Sequence, residues 1–91
     1  MAAYIALIER SNRKDLRNVE VHVTITDLSP SRQSWRGDFM SPSADGILPN
    51  ERLALTFDTG QKGTARVNET EFDSRTPETT LVHFTGTGPL V

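Results

Sequence analysis

The segment from Val19 to Thr26 most narrowly limits what this chain can fold into. Four apolar residues alternate along it with four polar ones, in the order Val-Glu-Val-His-Val-Thr-Ile-Thr. An α-helix of 3.6 residues per turn would scatter the β-branched side chains around its surface, whereas a strand places them all on one face. The pattern therefore predicts a half-buried β-strand whose apolar face packs against a core.

Shorter segments of the same kind follow along the chain. Residues 33–40, 52–57, 64–68 and 79–85 alternate between apolar and polar side chains and predict four further strands. A short glycine-bearing segment joins 52–57 to 64–68, which is typical of a hairpin. Gly37 interrupts the first of these segments and predicts a kink or bulge there.

The segments between the predicted strands are rich in proline, glycine and short polar residues. Glycine adopts backbone angles closed to other residues, proline fixes its own, and short polar side chains bond the nearby backbone, so these residues favour turns and loops. We therefore expect a turn at 27–31, a surface loop at 41–50 and a second loop at 69–78.

The amino-terminal segment, Ala2 to Arg10, fits neither the helical nor the strand period cleanly. A strand that is apolar on both faces explains its pattern, and we favour this interpretation. A short helix that closes one end of a barrel is the alternative. Residues 11–18 then form a charged connection with room for one helical turn.

Six predicted strands in a chain of 91 residues indicate one all-β domain, a small antiparallel β-barrel that spans residues 1–91. Twenty-one β-branched residues (11 Thr, 6 Val and 4 Ile) agree with this fold class. Closing the sheet into a barrel removes its exposed edges and gives the apolar side chains a common interior. The predicted interior consists of Val19, Val21, Val23, Ile25, Trp35, Phe39, Leu53, Leu55, Phe57, Val67, Val82 and Phe84.

Composition excludes several classes of protein. The chain has no cysteine, so disulfides, thiolate metal sites and cysteine nucleophiles are ruled out. Its longest apolar run, residues 2–8, is too short for a membrane helix and lacks the flanks of a secretory signal. The formal charge of -2 argues against general nucleic-acid binding. We expect a soluble, cytoplasmic protein that does not contact a membrane, and the sequence carries no strong signal for nucleic-acid binding.

Signatures of catalysis are missing from the sequence. It contains no phosphate-binding loop that ends in Gly-Lys-Ser/Thr, no Gly-x-Ser-x-Gly elbow and no helix with paired histidines. His22 and His83, the two histidines, could share a metal ion with Glu20 if their strands pair. Two solvent-facing strand residues are the favoured interpretation. The sequence therefore predicts a non-enzyme with neither metal nor cofactor.

Basic residues cluster just before the clearest strand, at Arg10, Arg13, Lys14 and Arg17. A guanidinium fork can bind phosphate or carboxylate in a bidentate manner. A cluster on a connection between strands can close over such a ligand, so this segment is the candidate anion-binding site.

The spacing Arg13-x-x-x-Arg17, followed by Asp27-x-Ser29, resembles part of the pattern of the PilZ domain family. That family consists of small six-stranded β-barrels that bind cyclic di-GMP through an Arg-x-x-x-Arg segment and an Asp/Asn-x-Ser-x-x-Gly turn. Here Arg32 stands at the position of the turn glycine, and the interval between the two motifs is short. The ligand-binding residues that the resemblance and the basic cluster together imply are Arg10, Arg13, Arg17, Asp27 and Ser29.

The leading functional prediction is a non-catalytic binding module whose partner is another protein. Its expected contact surface is an exposed sheet edge beside the 41–50 loop. The alternative is an anion-binding barrel of PilZ-like type, in which the 10–17 arginine cluster binds a small phosphorylated ligand.

Overall fold

In the computed structural model, all the predicted strand segments form β-strands. The structure describes residues 2–11, 13–29, 32–72 and 74–91, and of 27–29 and 32 it describes the backbone. The only helical element in these ranges is a single 3₁₀ turn. The elements are β1 (Ala2–Arg10), β2 (Leu16–Ser29), β3 (Arg32–Pro42), the 3₁₀ turn (Ser43–Asp45), β4 (Arg52–Phe57), β5 (Lys62–Phe72) and β6 (Thr79–Gly86).

The six strands form a closed antiparallel barrel in the order β1-β2-β3-β6-β5-β4, and β4 pairs back with β1. This confirms the predicted fold class. Each strand has a neighbour on both sides. The exposed sheet edge that we expected as a contact surface is therefore absent from the body of the barrel in the part of the chain described.

The amino-terminal segment is a strand, β1, as favoured above. Its residues Ala6, Ile8 and Arg10 are buried, whereas Ile5 is 41% exposed. The segment fits no simple period because apolar residues also lie on its outer face, where the closed barrel still gives them partners on β2 and β4. The described residues of the connection to β2 contain no helical turn.

The interior matches the predicted set with one clear error. Ile25 is 36% exposed, and Val19 is partly buried against the core. The reason for the error is that β1 pairs with β2 only as far as Val23 among the described residues. Beyond that point the described part of β2 pairs with β3 alone, so the barrel no longer covers Ile25 from the β1 side. The core also takes in Ala6, Ile8, Ile47 and Ala65.

Some predicted boundaries are wrong because pairing continues past the apolar segments. The backbone of 27–29 is part of β2 and pairs with β3, so the connection falls at 30–31, outside the described residues. Residues 69–72 belong to β5 rather than to a loop, and Ser41 and Pro42 belong to β3. None of these segments has the run of apolar residues expected of a strand, but each has a hydrogen-bonding strand beside it.

Gly37 causes no bulge, because the pairing of β2 with β3 is regular around it. Its role is steric instead. A Cβ atom added at Gly37 would lie 2.2 Å from the carbonyl oxygen of His22 and 2.9 Å from the ring of Phe84. The glycine therefore permits a close approach between neighbouring strands.

Residues 87–91 close the end of the barrel at which β6 terminates. The indole Nε1–H of Trp35 donates to the carbonyl oxygen of Gly88 at 2.6 Å, and Lys62 and Val91 exchange two backbone hydrogen bonds. Loops at the opposite end, 11–15 and 43–51, remain available to shape a site. In the described residues no helix has the length and apolar character needed to cross a membrane.

Candidate functional site

A cleft of about 480 Å³ opens at the end of the barrel opposite residues 87–91. The connection from β1 to β2 forms one wall, and the end of β3 with the 3₁₀ turn forms the other. This places the predicted basic cluster against the predicted 41–50 loop. The charged side chains that line the cleft are Arg10, Arg13, Lys14, Arg17, Asp15 and Asp45.

The 3₁₀ turn is held in place by hydrogen bonds to its surroundings. The backbone N–H of Ser43 donates to the carbonyl oxygen of Glu78 at 2.8 Å, and the Ser41 hydroxyl donates to Asp45 Oδ2 at 3.0 Å. Gly46 ends the turn with φ of 64°, a left-handed conformation that glycine adopts without strain. This wall of the cleft is therefore held both by local contacts and by the segment that precedes β6.

A β-bulge shapes the other wall where β2 begins. Ala6 pairs with Val19 and Ile8 with Leu16, so β2 contains one residue more than β1 over this interval. Asn18 has φ of 56°, which asparagine tolerates better than most residues. Bulges bend a strand and redirect its side chains, and this one places Arg17 at the mouth of the cleft.

Arg10, the first predicted site residue, is committed to structural contacts. Its Nε and Nη2 groups donate to the two carboxylate oxygens of Glu51 at 2.6 and 2.9 Å, and Nη1 donates to the carbonyl oxygen of Asp45 at 2.9 Å. Only 8% of the residue is exposed. The guanidinium therefore has its planar fork filled by the protein and forms the floor of the cleft.

The charges of this ion pair support each other. The hydrogen bonds from Arg10 lower the pKa of Glu51 below its ordinary value, and the nearby charge of Arg13 acts in the same direction. The same hydrogen bonds, which the Glu51 carboxylate accepts, raise the pKa of Arg10. Both groups therefore carry their charges at neutral pH.

Arg13, Lys14 and Arg17, which we call the basic rim, are exposed and line the cleft together. None of them makes an ion pair within the residues that the structure describes. With Arg10 balanced by Glu51, three cationic and two acidic side chains line the cleft, a local balance of +1 in a chain whose formal charge is -2. The arrangement favours an anionic group near the rim.

Asp27 and Ser29, the other predicted site residues, lie at the far end of β2. At about 3.3 Å per residue, roughly 33 Å of strand separates Asp27 from Arg17, and roughly 40 Å separates Ser29 from it. The structure therefore does not bring the two halves of the PilZ-like pattern together. The side chains of Asp27 and Ser29 are outside the described part of the molecule.

The two histidines lie on the outer face of the barrel. Their strands do not pair, because β3 lies between β2 and β6, and Asp38 of β3 is opposite both His22 and His83. His22 Nε2 is 3.2 Å from Glu20 Oε1. The metal site considered from the sequence, with both histidines and Glu20 around one ion, is therefore not assembled.

Sequence reasoning missed Glu51 as a partner for Arg10. The two are 41 residues apart, and no local pattern connects them. It also missed the proximity of His83 to Glu69 and Glu71, which depends on the pairing of β5 with β6.

Comparison of the chain with models of known protein families, with curated proteins and with solved structures finds no match.

Proposed function

We propose that this barrel is a non-catalytic binding protein whose cleft holds an acidic segment of a partner protein. The observation that carries the proposal is the basic rim. Arg13, Lys14 and Arg17 project around one cleft without an ion-pair partner in the described residues. Their charges are thus available to an external carboxylate, and arginine can bind such a group through two parallel hydrogen bonds.

The floor of the cleft supports this role by being already neutralised. Arg10 is saturated by Glu51 and by the carbonyl oxygen of Asp45. Arg10 is therefore not available to bind the ligand. It makes the cleft more rigid, because it ties the end of β1 to the opposite wall. A preformed cleft loses less conformational entropy when a ligand binds than a flexible one does.

Apolar side chains beside the rim indicate the kind of anion. Leu16, Val19, Met40 and Pro42 also line the cleft, and Met40 is 52% exposed although it belongs to a strand. A ligand that places an apolar group beside its negative charges can bury this surface. A peptide segment with acidic residues next to an aliphatic one has that combination, whereas inorganic phosphate has only the charge.

Cyclic di-GMP is the competing ligand, because the Arg13-x-x-x-Arg17 spacing resembles the segment that binds it in PilZ domains. Its phosphates would be held by the rim alone, because Asp27 and Ser29 lie at the other end of β2. Because half of the PilZ-like motif lies outside the cleft, an acidic segment of a protein is the better match for this site than cyclic di-GMP.

Titration of the isotope-labelled protein, followed by amide NMR shifts, tests the proposal. The probes are the capped peptide Glu-Glu-Leu-Glu-Glu, its all-glutamine analogue, inorganic phosphate and cyclic di-GMP. We expect saturable shifts at residues 13–19 and 40–45 with the acidic peptide, weakening as salt is added because exposed charges are screened. The glutamine analogue should bind at least about tenfold more weakly.

Each alternative outcome has a definite meaning. If cyclic di-GMP or phosphate binds this cleft more tightly than the acidic peptide does, the assignment to a protein partner is wrong. If no probe shifts residues 13–19 at millimolar concentration, the cleft is not an anion site and the proposal fails.

A charge-matched pair of variants separates the rim from general electrostatics. The rim variant carries the substitutions Arg13→Gln, Lys14→Gln and Arg17→Gln. Its affinity for the acidic peptide should be at least about tenfold lower than that of the unmodified protein. The control variant removes three exposed cations elsewhere on the barrel, through Arg36→Gln, Arg52→Gln and Arg66→Gln. It should bind the acidic peptide with an affinity within about twofold of that of the unmodified protein. An equal loss in both variants would show that net charge alone attracts the peptide.

A further inference from the structure

The outer face of the barrel carries a row of four metal-ligating residues across adjacent strands. His22 pairs with Asp38, Asp38 with His83, and His83 with Glu69. Both histidines of the chain therefore belong to this one row. Residues directly opposite each other in a sheet have Cβ atoms about 4.5–5.5 Å apart, so neighbours in the row are close enough to bind one metal ion together.

A β-bulge in β5 brings two carboxylates onto this face. Val67 is buried, and strict alternation after it would turn Glu69 and Glu71 towards the core. The register shift between Val67 and Glu69 places both glutamates on the outside instead. The amide of Asn68 donates to Thr85 Oγ1 at 2.6 Å across the strands at the bulge.

We propose that Glu69, Glu71 and His83 form a binding site for a divalent transition-metal ion, with Zn²⁺ as the best chemical match. One ligand atom from each residue lies within 4.8 Å of the others, and His83 Nε2 is 3.1 Å from Glu71 Oε1. Donor atoms in a tetrahedral zinc site are about 3.4 Å apart, given metal–ligand distances of about 2.0–2.2 Å. Small rotations of the exposed glutamate side chains close the remaining gap.

The mixture of donors selects the class of metal. Imidazole nitrogen together with carboxylate oxygen suits zinc and its neighbours, whereas calcium and magnesium prefer sites made entirely of oxygen. Three protein ligands leave a fourth position open to water or to a group from a partner. The site is therefore an open one on the protein surface rather than a closed structural centre.

Charges around the three ligands also favour a cation. A groove of about 340 Å³ on this face is lined by Asp38 and Glu69 as well as by both histidines. Arg36, in the adjacent row opposite Thr85, is the cation that lines the same groove. When the ligands themselves are counted, the carboxylates are Asp38, Glu69 and Glu71, against two arginines opposite Thr85, Arg36 and Arg66.

His22 is a natural control for this site. Two strand spacings of about 4.8 Å separate β2 from β6, so His22 is roughly 10 Å from His83 along the sheet. Its own close partner is Glu20, on the same strand. It shares the residue type and the face of the barrel with His83, but it is too far away to bind the same ion.

Titration of the full chain with zinc chloride alone, followed by calorimetry and by imidazole nitrogen NMR, tests the proposal. We expect one ion per chain and zinc-dependent shifts of the His83 ring nitrogens, while the His22 signals stay in place. His83→Gln should abolish this binding. Glu69→Gln and Glu71→Gln should each weaken it by at least about tenfold, and His22→Gln should leave it within twofold.

Far-ultraviolet circular dichroism of every variant verifies that the barrel is intact, since all four side chains lie on its outer face. The assignment is wrong if zinc causes no shift at millimolar concentration, if His83→Gln keeps the affinity, or if both histidines respond equally. The basic-rim variant should bind zinc as the unmodified protein does, so failure of the metal site and failure of the acidic-peptide cleft are separate results.

Discussion

Replacement of Glu51 by glutamine tests how the cleft end of the barrel is held together. Glu51 accepts two hydrogen bonds from the guanidinium of Arg10, which is 8% exposed. Glutamine preserves the shape of the side chain but removes the charge, and its one carbonyl oxygen cannot accept both bonds in the same geometry. The variant therefore removes the counter-charge that is hydrogen-bonded to this buried cation and leaves it the weaker attraction of the Asp45 charge.

The expected cost follows from the burial of the two partners. Breaking a buried ion pair by removing one partner costs about 3–5 kcal/mol. Because the Glu51 side chain retains 19% of its exposure, water can reach the site and we expect the lower end, about 3 kcal/mol. For a domain of this size each kcal/mol lowers Tm by about 4–8 °C, so Tm should fall by about 12–24 °C.

Thermal and urea unfolding at pH 7, followed by circular dichroism, measure this cost. Glu9→Gln removes a charge from an exposed position of β1 and should change stability by less than about 0.5 kcal/mol. The double variant Arg10→Met with Glu51→Leu should be more stable than Glu51→Gln, because apolar replacement of both partners avoids a lone buried charge. A Tm within about 3 °C of that of Glu9→Gln would refute the reasoning.

Two further predictions concern pH and strand packing. Since Arg10 lowers the pKa of folded Glu51, the stability from this pair is complete above the ordinary glutamate pKa of about 4.3 and is lost as the pH falls towards the folded value. The Tm difference between the protein and Glu51→Gln should thus narrow from pH 7 to pH 3, and an equal difference at both pH values would contradict this. Gly37→Ala places a Cβ atom 2.2 Å from the carbonyl oxygen of His22, and urea unfolding should show a loss of about 1–3 kcal/mol or more. Gly88→Ala, with nothing within 4 Å of its Cβ, should change stability by less than about 0.5 kcal/mol, and a similar loss in both variants would argue against the steric explanation.

The strands were predictable because alternation is a local property of extended backbone. Val21, Leu55 and Phe84 are buried as their period requires. Strand ends were harder to predict, since residues 27–29 and 69–72 are mostly polar and become strand only because a neighbour supplies hydrogen bonds. Ile25 shows the same limit. It lies on the apolar face of β2, as the alternation predicts, but its burial depends on how far β1 extends along β2.

The candidate site was predictable only in part. The basic rim is contiguous in sequence, so Arg13 and Arg17 could be singled out before the fold was known. The structural role of Arg10 could not, because its partner Glu51 is distant along the chain. The separation of Asp27 from Arg17 likewise became clear only when both were placed on one long strand.

The fold class follows from the order of the amino acids alone, since a two-residue period of apolar side chains leaves a strand as the stable conformation and six strands need a shared interior. Tertiary structure alone decided which strands are neighbours, and with them the pairing of Arg10 with Glu51 and the grouping of His83 with Glu69 and Glu71. The physical reason is that alternation sets the direction of each side chain within its own strand, whereas contact across the barrel depends on strand order and on bulges that shift the register. Those features are set by the closure of the whole sheet.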